Sequence, residues 1–145
     1  MRRELRLIAG QRAAARGDLR VALMCVEACW SEFGSWLAHD CGDRRERDAL
    51  LSHALHLARE ADYHDMLAWA RARLAQWSDA PMALRYAEAG LRTPGAGAHA
   101  RAMCATRVAH AHARVGDAEA AERSIAEAER LIGEESTPLP PPTRG

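Results

Sequence analysis

The chain has 145 residues, enough for one core-bearing domain, and its 20 basic and 20 acidic side chains cancel. All the basic residues are arginine, and zero net charge excludes the broad basic surface typical of a nucleic-acid-binding domain. No apolar run is long enough for a bilayer; Val21 to Val26 is stopped by Glu27.

Abundant alanine with few strand-favouring residues predicts an all-α chain of about seven helices. Residues 1–17 form an Arg-rich helical segment, in which Arg2, Arg3, Arg6, Arg12 and Arg16 face only Glu4. A solvated helix face is the simplest reading of that segment. Asp18 then caps a helix to about His39, whose expected core stripe is Leu23, Val26, Trp30, Phe33 and Leu37. Asp40-Cys41-Gly42-Asp43 stops it, and the next helix, to about Glu60, offers Leu51, Ala54, Leu55 and Ala58. A helix from about Asp65 to Trp77 carries Leu67, Ala70, Leu74 and Trp77. After Ser78-Asp79-Ala80-Pro81, a short helix to Arg92 presents Leu84, Ala87 and Leu91.

Thr93 to Gly97 reads as a loop. Beyond it, Cys104, Val108, Ala111 and Val115 recur on one helical face, and Ala121, Ile125, Ala128 and Ile132 on the next. Between them, Gly116 suits a left-handed helix end and Asp117 an N-cap. Residues 134–145 are Pro-rich and expected to be a disordered tail, leaving 18–133 as the helical body.

The breaks at Gly42-Asp43, Ser78-Asp79 and Gly116-Asp117 recur at a period in the mid-thirties. A helix-turn-helix unit of that period points to antiparallel helical hairpins stacked as a short α-solenoid. With these breaks and the Ala83 and Ala121 that follow two of them, the chain resembles degenerate tetratricopeptide repeats. It departs from that pattern at Ser35, Arg71 and Ala109, where the first-helix glycine would stand, and at Arg47. A narrower resemblance covers about Glu27 to Gly133. The stretch 31–43, with Trp36-Leu37 and Asp40-Cys41-Gly42-Asp43, then 54–61 and 111–117, is similar to the C-terminal region of bacterial Xre-type helix-turn-helix regulators. That resemblance implies a sensor or oligomerisation half without its DNA-binding domain, for which the first 20 residues leave no room.

In tetratricopeptide arrays the first helix of each pair lines a groove. The register would place Glu32, Trp36 and His39, then Asp65, Ala68 and Ala72, then Met103, Thr106 and His110 along it. Taken singly, Trp36 and Met103 read first as core residues, since apolar side chains at helical spacing usually pack inward. No catalytic motif, cofactor loop or metal-ligand spacing is present; His53 and His56 share a face but lack further ligands. Cys25, Cys29, Cys41 and Cys104 form no CxxC pair and follow no secretory leader, so they read as buried reduced thiols in a cytoplasmic protein.

The expected function is therefore non-enzymatic: a protein- or peptide-binding module in bacterial regulation, with self-association open and no membrane or direct nucleic-acid contact. The alternative is a transcriptional regulator, or a fragment of one, acting on DNA through the Arg-rich start or through a helix-turn-helix partner.

Overall fold

The computed structural model describes residues 1–135, and among these it is helical with no strand. The helices are α1 (Arg2–Ala14), α2 (Gly17–Asp40), α3 (Arg44–Glu60), α4 (His64–Trp77), α5 (Ala80–Leu91), α6 (Ala98–Arg114) and α7 (Ala118–Glu135). None of them is long and apolar enough to cross a membrane. The tail expected at 134–145 lies outside the described residues, apart from Glu134 and Glu135, which close α7.

The three expected breaks all fall between helices, each with an aspartate as cap. The carboxylates of Asp43, Asp79 and Asp117 accept from the backbone N–H of Glu46, Met82 and Ala120, at 3.0 Å each. Three turns also share one bonding pattern. The N–H of Asp43 donates to Ala38 O, that of Tyr63 to Ala58 O, and that of Asp117 to His112 O, with a shorter bond nested inside each. This is a Schellman closure, which needs one left-handed residue. Gly42 (φ +76°) and Gly116 (φ +80°) supply it twice, and Asp62 (φ +49°) supplies it at the third turn.

The chain divides into two compact units, Met1–Ala70 and Arg71–Gly145, with the boundary inside α4. In the first unit, α2 packs on both α1 and α3. Its core gathers Met24 and Ala28 of α2, Leu57 and Ala58 of α3, and Met66 of α4. Gly34 lets α2 and α3 approach closely, since a Cβ there would meet Leu50 Cδ1 at 3.2 Å. Next to this core α2 buries a charge. Glu27 is 2% exposed. Arg12 Nε of α1 donates to its Oε2 at 2.6 Å, and His53 Nε2 of α3 lies 2.7 Å from its Oε1. A carboxylate only accepts, so His53 Nε2 carries the hydrogen in that bond. Burial alone would raise the Glu27 pKa; the bonds from Arg12 and His53 outweigh it and hold the carboxyl below the usual range.

The second unit is built on alanine. Ala75, Ala83, Ala87, Val108 and Ala111 form one cluster, and Ala102, Ala105, Ala128 and Leu131 another. Arg71 of α4 reaches across to the end of α5. Its Nη1 donates to Ala89 O at 3.1 Å and to Thr93 Oγ1 at 2.7 Å.

Two stripes differ from expectation. On α2, Val26, Trp30, Phe33 and Leu37 lie outside the core, while Met24, Ala28, Ser31, Ser35 and Ala38 face in. Both rows step by three and four residues, so period alone did not choose between them. The row of smaller side chains won because it permits close helix packing and carries Glu27 inward with it. On α7, Ile125 and Ile132 are about half exposed, and Ala120, Ala121, Ala128 and Leu131 are buried. Val115 is also exposed, because it caps the end of α6.

Unfolding measurements test these contacts. Leu131→Ala should lose about 3 kcal/mol in urea unfolding, and Ile132→Ala less than about 1 kcal/mol. Equal losses would contradict the packing of α7. Arg12→Ala should cost about 2 kcal/mol at neutral pH, less than for a fully enclosed pair because Arg12 and His53 are partly exposed. The Glu27 carboxyl is depressed, so its contribution is present above the unfolded pKa of about 4.3 and fades as pH falls through the lower folded value. The gap between wild type and Glu27→Gln should therefore close in acid; a constant gap would contradict the assignment.

Candidate functional site

The second unit carries a cleft of about 360 Å³ between the end of α4, the start of α5 and α6. It is lined by Ala75, Gln76, Trp77, Ser78, Ala83, Arg107, His110, Ala111 and Arg114. Arg107, His110 and Arg114 stand at i, i+3 and i+7 on α6, which places all three on one helical face. Among the described residues that line it, none is acidic.

The arginines are held differently. Arg114 Nη1 donates to Ser78 O at 2.9 Å, drawing the turn after α4 toward α6. Arg107 Nη2 donates to Gln76 Oε1 at 3.3 Å, and Arg73 Nη1 donates to the same oxygen at 3.1 Å. The Arg73 guanidinium also lies over the Trp77 ring, 5.9 Å from its centroid. Arg107 Nε is enclosed and makes no hydrogen bond among the described residues. Burial, and then the neighbouring charge of Arg73, pull the Arg107 pKa down. The neutral Gln76 Oε1 thus takes bonds from two guanidinium groups. A carboxylate or phosphate entering here would relieve both the desolvation and the mutual repulsion, and would meet fork-shaped donors suited to it.

Each residue expected along the groove has a definite place. In the first unit, Glu32 is buried on the inner side of α2, while Trp36 and His39 are exposed on the same helix. Trp36 lies against Phe33 at a ring separation of 5.7 Å. Asp65 is exposed in the first turn of α4, and Ala68 is buried. In the second unit, Ala72 is buried, Met103 is half-buried, and Thr106 Oγ1 donates to Ala102 O of its own helix. Of all these residues, His110 lines the cleft.

Sequence reasoning missed Arg107 and Arg114. Their signal was present as helical spacing with His110, but charged residues on a helix are ordinarily solvated. It also missed Glu27 as a buried acid, although a glutamate interrupting the apolar run before it was the mark of one.

His56 pairs with Glu60 on its own helix at 3.4 Å, and His53 is taken by Glu27. Among the described residues no three His, Cys, Asp or Glu groups could hold a metal ion. None of the four cysteines is in a disulfide among the described residues. Cys104 is buried, which pushes its thiol up to about 11, and burial also raises Cys25. Cys41 is exposed, against the expectation that all four are buried. Cys29 Sγ lies 3.9 Å from Tyr63 OH, and burial together with that neighbour pushes the phenol up to about 12.

Set against known family models, curated proteins and solved structures, the chain matches none.

Proposed function

We propose that the chain is a non-enzymatic protein- or peptide-binding module, and that the cleft of its second unit seats an acidic segment of the partner. The observation that carries this reading is the meeting of Arg107 and Arg114, with His110 between them and no acid among the described lining residues. In a chain of zero net charge, such a one-signed hollow marks the chemistry of its ligand. Trp77 and the alanine walls add an apolar surface beside the charges, the usual make-up of a specificity pocket.

For the finer architecture, we infer a short tetratricopeptide-like series of helical hairpins. The repeated Schellman turns and the aspartate caps at 43, 79 and 117 support it. The regulatory setting rests on the resemblance to the Xre-type C-terminal region. Direct contact with DNA is the weaker reading. Arg12 is committed to Glu27 and Arg2 to Glu46, which depletes the N-terminal cluster that would have met phosphates.

A fluorescently labelled Asp/Glu-rich peptide should bind the full chain, and added salt should weaken the complex. Arg107→Gln and Arg114→Gln should each lower its affinity by about tenfold or more, with helicity unchanged. A Lys-rich peptide of equal length should not bind. The proposal fails if the acidic peptide does not bind, or if Arg107→Gln binds it as tightly as wild type.

A further inference from the structure

Among the described residues nothing covers the outer face of α2. Leu19, Leu23, Val26, Trp30, Phe33 and Leu37 follow one another at steps of four, three, four, three and four residues. This is the spacing of a seam that receives another helix. All but the half-buried Leu23 are exposed, from 36% at Leu37 to 63% at Leu19. Trp36 borders the row and is also exposed. Single apolar side chains at a surface are ordinary, but a continuous row along a 24-residue helix is not. With its other face already buried, α2 is apolar on two sides, the pattern of a helix packed on both.

We propose that this seam is occupied by a second copy of the chain, with the two α2 helices antiparallel about a two-fold axis at the level of Ala28. The residue order along the seam selects this occupant and this direction. The aliphatic side chains fill its N-terminal half and the two aromatic rings lie in its C-terminal half. The axis brings Val26 against Trp30, Leu23 against Phe33 and Leu19 against Leu37, so each ring meets a smaller side chain. Parallel pairing would set Trp30 on Trp30 and Phe33 on Phe33, with small opposite small elsewhere.

The surface already has the matching hollow. Cys29, Trp30 and Phe33 line a depression of about 300 Å³, and the Trp30 and Phe33 rings stand edge-on with centroids 6.4 Å apart. Under the proposed axis the knobs arriving at this depression are Leu23 and Val26 of the other copy.

The charges at the ends agree with the same axis. Arg16, just before α2, falls opposite Asp40, its last residue, and both are exposed. Arg20 falls opposite Trp36, a cation over an indole face. The helix dipoles also oppose one another in this direction. Such an interface is isologous: one patch meets itself and closes, leaving no free copy of the patch to propagate. The row exposes roughly 500 Å² of apolar side chain per copy, so the pair buries about 1,000 Å² from the seam alone, the size at which specific interfaces begin. This inference stands on the first unit and is independent of the acidic-ligand reading of the second.

Sedimentation velocity on the full chain from about 1 to 100 μM should show the mass rising from 15.9 kDa toward twice that value. Phe33→Asp changes an exposed position, so far-UV helicity should remain while association weakens at least about tenfold. For direction, Leu23→Cys and Phe33→Cys proteins, both also carrying Cys41→Ser, are mixed and oxidised. Disulfides should form between the two different variants in preference to either with itself. A chain that stays at 15.9 kDa throughout overturns the proposal and assigns the seam to a different protein. Association unchanged in Phe33→Asp, or predominance of self-linked variants, overturns it as well.

Discussion

Burying a carboxylate in a helical unit is costly unless its oxygens are met by donors, and Glu27 is met on both oxygens. The donors come from two different helices: Arg12 from α1 and His53 from α3. One side chain therefore joins three helices and allows few other arrangements of them. If α2 turned about its axis to hide Trp30 and Phe33, Glu27 would leave its donors and the small residues that share its face would leave α3. Rotation by even one residue is roughly 100°, enough to undo both contacts. The orientation of α2 is thus set by a charge and by small side chains, and the aromatic row is outside as a consequence.

The second unit answers the same problem with the opposite sign. Its alanine core brings the helices close enough for arginine side chains to bridge them. Arg71 satisfies Ala89 O and Thr93 within the unit, a closed arrangement of donor and acceptors. Among the described residues, Arg107 and Arg114 donate to neutral acceptors, Gln76 Oε1 and Ser78 O. Three arginines in one small unit thus have different standing. One locks the fold, and two hold the wall of a cleft with donor capacity to spare. This difference, more than the amount of positive charge, separates a structural cation from one suited to recognising a ligand.

Helix positions were legible because stops and caps are local. Gly42-Asp43 and Gly116-Asp117 carry their own conformational requirement, and Asp79-Ala80-Pro81 carries a cap and a helix start. On α6 the expected row Cys104, Val108 and Ala111 is buried, and a second row of alanines, Ala102, Ala105 and Ala109, is buried beside it. On α2 two rows share one period, and choosing between them requires knowing that Arg12 and His53 converge on Glu27. On α7 half of the expected stripe, Ala121 and Ala128, is buried, but the buried face continues to Ala120 and Leu131 and leaves Ile125 and Ile132 half exposed. Of the residues proposed for a groove, His110 lies in the cleft, while the arginines beside it depend on where α4 ends, which is tertiary information.

The account rests on Glu27 being ionised, enclosed and held by Arg12 and His53, and an NMR pH titration of its side-chain carboxyl carbon in the full chain tests this directly. The account predicts a midpoint clearly below the ordinary glutamate value of about 4.3. A midpoint at or above that value would mean that burial acts on the carboxyl without its partners, and the stated reason for the orientation of α2 would be wrong.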